Sequence, residues 1–117
     1  MLATVVAAMS IAPTVSLAAS PVEAAFGNTI VSTYPSGRST KLWLQRNGTY
    51  EGQRTNGKRT AGKWTLKGGK VCLKQTRPAG IPISFCSTIP RGKVGTTWNS
   101  KSPKGEPLRN RLVAGRG

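Results

Sequence analysis

The chain has 117 residues, with 18 Lys and Arg against three acidic residues and no His, for a formal net charge of +15. That length holds one domain, and that charge favours polyanionic partners: nucleic acid, anionic lipid, lipopolysaccharide or acidic polysaccharide. Acid–base catalysis near neutral pH uses His or tuned carboxylates, and glycosidases use a carboxylate pair; here only Glu23, Glu51 and Glu106 exist, far apart in sequence.

The first stretch, "LATVVAAMSIAPTVSLAAS", is uncharged and apolar, is interrupted by Pro13 and hydroxyl residues, and ends in small residues. These are the features of a secretory signal. Ser16-Leu17-Ala18 and Val22-Glu23-Ala24 both offer tolerated residues at −3 and −1, and cleavage after Ala24 would open the mature chain at Ala25-Phe26. No Lys or Arg precedes the apolar run, which fits a start inside a longer signal. A transmembrane anchor needs about 20 apolar residues, and Pro13 with its hydroxyl neighbours argues against one. The expectation is an apolar signal helix over residues 1–24 and a periplasmic or secreted protein.

From Phe26 to Trp98 short β-type runs alternate with Gly, Pro and Asn. They are "NTIVSTY" (28–34), "TKLWLQ" (40–45), "TYEGQR" (49–54), "AGKWTLK" (61–67), "KVCLKQT" (70–76), "IPISFCSTI" (81–89) and "KVGTTWN" (93–99). Evenly spaced strands joined by tight turns predict an antiparallel meander. The expected fold class is all-β: an up-and-down meander of 6–7 short strands over residues 25–99, forming a small barrel or a strongly curved sheet.

The turns set registers. A two-residue Gly68-Gly69 turn pairs Leu66 with Val71, Trp64 with Leu73 and Thr65 with Cys72. Cys72 opposite Cys86 then sets Leu73 against Phe85 and Gln75 against Ile83. Trp64, Leu66, Val71, Leu73, Ile83 and Phe85 share one face, and a Cys72–Cys86 bridge lies on the other, with Cα atoms about 4.4–6.8 Å apart. At Asn47-Gly48, a three-residue loop with Gly48 in a left-handed bulge sets Leu44 against Tyr50 and Leu42 against Gly52. Two cysteines in an exported chain read as one disulfide. A zinc site needs about four N or S ligands, so no metal is expected. The core is thin for a domain of this size, which is reason enough for a bridge. The remainder, 100–117, has two prolines, three glycines and five basic residues, and reads as a basic flexible tail.

No nucleophile elbow, phosphate loop or dinucleotide motif occurs, so no enzyme and no cofactor is expected. Asn47-Gly48-Thr49 matches a glycosylation sequon, which the Asn-Gly turn already explains. Trp43, Trp64 and Trp98 with basic neighbours resemble the stacking platforms of single-strand nucleic-acid binders, but strand alternation places them in a core. Export and the missing RNA-recognition signature argue against nucleic acid.

"FGNTIVSTYPSGR", "LWLQRNGTY", "GKWTLKGGKVCLKQTRP" and "SFCSTIP" together resemble a family of small, exported, uncharacterised β-rich proteins of Gram-negative bacteria. More loosely, the "GTY" and "GKW" meander is similar to lipocalin-like and other small β-barrel periplasmic domains. The resemblance covers Phe26 to Pro90; it implies hairpins, a disulfide and export, and no site.

The hairpin "KWTLKGGKVCLKQ" sets lysine opposite lysine, although facing like charges destabilise a sheet. With Trp64 and Leu66 inward, Lys63, Lys67, Lys70 and Lys74 point outward beside Cys72, extended by Lys58 and Arg59 from the preceding turn. Such lysines can guard a wet face against edge-to-edge aggregation. A face built for solubility alone usually mixes signs, and this one does not. The expectation is therefore an exported, non-enzymatic β-domain that associates electrostatically with an anionic envelope component: anionic lipid, lipopolysaccharide or another polyanion, with the membrane surface among the candidates. The alternative is a periplasmic protein-binding or inhibitor-like module whose charge serves solubility.

Overall fold

A computed structural model describes residues 22–79 and 84–116. After a 3-10 turn at Glu23–Ala25 come β1 (Thr29–Thr33), β2 (Ser39–Leu44), β3 (Thr49–Gln53), β4 (Arg59–Lys67), β5 (Lys70–Arg77), β6 (Ser84–Thr88), β7 (Thr97–Lys101) and β8 (Pro107–Val113). All pairings are antiparallel, in the order β6-β5-β4-β3-β2-β1-β8-β7. The meander thus curls into a nearly closed barrel whose ends meet through β1 and β8. A seam remains between β6 and β7, which are not paired.

The hairpin registers are those the turns dictate. Trp64 pairs with Leu73, Leu66 with Val71 and Thr65 with Cys72; Leu44 pairs with Tyr50 and Leu42 with Gly52. Gly68 and Gly69 both have positive φ, 53° and 80°, as the commonest two-residue hairpin turn requires. Cys72 faces Cys86 and the two are bonded, with Cα atoms 3.9 Å apart. That is closer than the expected range: directly opposed residues already stand about 4.5–5.5 Å apart, and the bridge draws them nearer. The partner expected for Gln75, Ile83, lies outside the described residues.

Four expectations are corrected. There are eight strands, not 6–7. The segment from Ser100, read as a flexible tail, carries the end of β7 and all of β8, and β8 pairs with both β1 and β7. Its signal was hidden because the inward position between Leu108 and Leu112 is held by Asn110, a polar residue whose amide is fully engaged. Asn110 accepts from Ser32 Oγ at 2.6 Å and donates to Ser100 Oγ at 2.9 Å and to the Trp98 carbonyl at 3.3 Å. Polar groups inside a fold are tolerated when so paired.

The third correction concerns residues 1–24. Residues 1–21 lie outside the described part, but Val22 is wholly buried and Ala25 is 2% exposed, in one cluster with Ile30, Leu44, Tyr50, Val71 and Leu112. The barrel unit therefore begins by Val22, not at 25. The fourth concerns Leu66, expected inside and 37% exposed. Pairing between β3 and β4 ends at Thr49–Lys63, so the β4–β5 tip runs past the barrel wall and leaves Leu66 at its rim.

Candidate functional site

Two surfaces carry chemistry: the outer face of β4–β5 and the barrel interior. On the outer face, Lys63 stands directly opposite Lys74 and Lys67 opposite Lys70, with Thr65, Cys72 and Cys86 between. All four lysines are exposed. Steps of four residues along β4 separate Lys63 from Lys67 by about 13 Å. Among the described residues none of the four has an ion-pair partner; Arg46–Glu23 and Arg116–Glu51 lie elsewhere on the molecule.

Arg59 and Lys58 do not join this ladder. The Arg59 guanidinium lies 4.9 Å from the ring centre of Trp43, which Arg116 also approaches at 5.1 Å. Both contacts fall within cation–π range. Trp43 is buried on the outside of the wall, not in the core: its indole donates to Thr29 Oγ1 at 2.9 Å, and that hydroxyl donates to the Gly115 carbonyl at 2.7 Å. Arg59 is thus committed to the Trp43 ring, beside the chain end that Arg116 ties down through Glu51. Lys58 sits in the β3–β4 turn, at the end of the barrel away from Lys67 and Lys70, where its backbone N–H donates to Asn56 Oδ1. Trp64 and Trp98 pack against the core, so no tryptophan forms an exposed stacking platform.

A second basic surface escaped the sequence because it depends on β8. Val31 lies between Lys41 on β2 and Arg111 on β8, and Thr33 faces Arg109; Lys101 opens onto the same side at the start of β8, opposite Pro107. Docking of β8 beside β1 assembles these cations from three distant segments.

Inside, a cavity of about 270 Å³ is walled by Ile30, Leu42, Leu44, Tyr50, Val71 and Leu73 among others. Gly52 lines it, and Gly62 lets the Tyr50 ring close the wall beside it. A β-carbon at Gly52 would stand 2.5 Å from Thr60 Oγ1, and one at Gly62 would meet the Tyr50 ring. One end is stoppered by Val22, Ala25 and Phe26; Phe26 stacks on Trp64 at 5.7 Å between centroids, and the Trp64 indole donates to the Gln45 carbonyl at 2.7 Å. Arg46 fastens this stopper by lying 4.6 Å over the Phe26 ring while pairing with Glu23. The other end is lined by Tyr34, Arg54 and Pro103, from the β1–β2, β3–β4 and β7–β8 turns. Burial pushes the Tyr50 hydroxyl above its ordinary range.

Among the described residues no group of His, Cys, Asp and Glu is arranged to hold a metal ion, and no helix is long and apolar enough to cross a membrane. The Cys72–Cys86 bond fits an oxidising compartment. Fold and surface define a small, basic, disulfide-bonded β-barrel domain. Comparisons with protein families, with curated proteins and with solved structures found no match.

Proposed function

We propose that this is an exported, non-enzymatic β-barrel domain that associates electrostatically with an anionic component of the cell envelope through the lysine ladder of β4–β5. One observation carries the reading: Lys63–Lys74 and Lys67–Lys70 are directly opposed, exposed pairs without a carboxylate partner. Facing like charges cost stability within the protein, and an anion laid across them removes that cost. Lipid phosphate and the phosphates of lipopolysaccharide suit the geometry, since each Lys near an anionic surface contributes about 1 kcal/mol. The disulfide holds β5 to β6 beneath the ladder and fixes the two pairs on a stiff wall. The likeness to small exported β-rich proteins of Gram-negative bacteria agrees with a periplasmic or secreted location.

Cosedimentation with vesicles tests this. Binding to vesicles containing an anionic phospholipid is expected at low salt. It should fade as the Debye length shortens from about 30 Å at 0.01 M to about 8 Å at 0.15 M, with none to neutral vesicles. Equal binding to both kinds would reject the electrostatic reading.

A further inference from the structure

The barrel interior supports a second kind of binding, independent of the lysine ladder. The cavity of about 270 Å³ is nearly twice the size of an engineered 150 Å³ cavity that holds benzene, so it has room for about eleven ligand heavy atoms, enough for a ten-carbon chain with its head group at the mouth. Its wall is apolar toward the stopper and polar toward the turns, where Thr40, Thr60, Gln75 and Arg54 contribute. Two of these are placed to meet an anion. Arg54 follows Gly52 on the inward-facing alternation and is exposed at the mouth. It has no ion pair. Among the described residues Gln75 Nε2 is buried with no hydrogen-bond partner, whereas the Asn110 amide, which lines the same cavity, is fully engaged. Buried donors in native folds are normally paired, so an orphan one in a cavity wall marks a place for an acceptor.

We infer that the barrel takes up a small amphiphile with one short acyl chain and an anionic head: the chain lies among Leu42, Leu44, Val71 and Leu73, and the head lies toward Gln75 and Arg54. The volume excludes a two-chain lipid. Gly52 keeps the chain's path open, since a β-carbon there would intrude on Thr60 at the cavity wall.

Decanoate and decan-1-ol, titrated into the whole protein by calorimetry and by amide chemical shifts, test this. Decanoate is expected to bind one to one with a dissociation constant on the order of 0.1 mM, shifting the amides of Gly52 and Gly62. Decanol should bind several-fold more weakly. Arg54→Gln is expected to weaken decanoate about tenfold and leave decanol unchanged. Ser87→Phe, from the cavity wall, should abolish both while keeping its melting transition. A variant in which Lys63, Lys67, Lys70 and Lys74 become Gln should bind decanoate as the parent does, which separates the interior from the outer face. No saturable binding of decanoate by the parent, or shifts confined to outer-face amides, would overturn the site. Equal loss of decanoate and decanol in Arg54→Gln would overturn the assignment of the head group.

Discussion

The ring of Tyr50 lies on the bare backbone of Gly62, its partner across β3 and β4, so closely that a β-carbon there would stand 2.6 Å from Cε2. The pair lets the wall bend sharply while an aromatic ring fills the space left by the missing side chain. Gly62→Ala should therefore cost about 1–3 kcal/mol through overpacking, read as a lower denaturation midpoint at unchanged slope. An unaltered midpoint would show that both the ring and the Lys74 carbonyl, which lies nearer still to that β-carbon, can give way.

Tyr50 also makes the protein sensitive to alkali. Its hydroxyl is held above the ordinary value of 10.0 by burial, so the unfolded chain ionises first. The stability from the neutral phenol is fully present below about pH 10 and is lost as pH rises toward the folded value. Other effects of alkali act equally on a Tyr50→Phe variant. The stability gap between parent and variant should stay constant from pH 7 to 9 (chosen as the working range) and shift against the parent above that. A constant gap throughout would contradict the buried phenol.

The bridge should matter more than its single bond implies. Cys72 and Cys86 are 14 residues apart, and closing a loop of about that length contributes on the order of 3 kcal/mol. The double variant Cys72→Ser, Cys86→Ser is expected to lose about that amount in chemical denaturation. A loss under about 0.5 kcal/mol would mean the hairpins alone fix the β5–β6 register.

The stopper bears on processing. Cleavage after Ala24 would remove Val22, which is wholly buried, and Glu23, which pairs with Arg46. A chain beginning at Ala25 should then lose about 1.5–3 kcal/mol from the valine alone. We expect exported protein to be processed at Ser16-Leu17-Ala18 instead. Its intact mass decides this: a mature form opening at Ala25 with unreduced stability would contradict the stopper.

Much of the wall was legible because the turns are chemically explicit. Gly68-Gly69 and Asn47-Gly48 each permit few hairpin geometries, and once those are placed the large apolar residues of β4 to β6 fall on one side. The rest was hidden for definable reasons. β8 alternates Leu108, Asn110 and Leu112 inward between arginines, and an inward Asn reads as a break until Ser32 and Ser100 are beside it. The stopper uses Val22 and Ala25, residues that also suit a cleavage zone. Of the basic site, the two facing lysine pairs follow from one register and were visible. Arg59 was not separable from them, since its commitment to Trp43 depends on the β2–β3 and β3–β4 registers together. The Lys41–Arg111 surface depends on β8 and had no local signal.

That second surface supplies the control for the central claim. Two variants with the same loss of charge should be compared on anionic vesicles at low salt. One changes Lys63, Lys67, Lys70 and Lys74 to Gln; the other changes Lys41, Lys101, Arg109 and Arg111 to Gln. If the β4–β5 ladder is the docking site, the first loses nearly all binding and the second retains most of it, both with parent-like melting. Equal losses in the two would show that net charge alone draws the protein to the surface, and would contradict the ladder as a site.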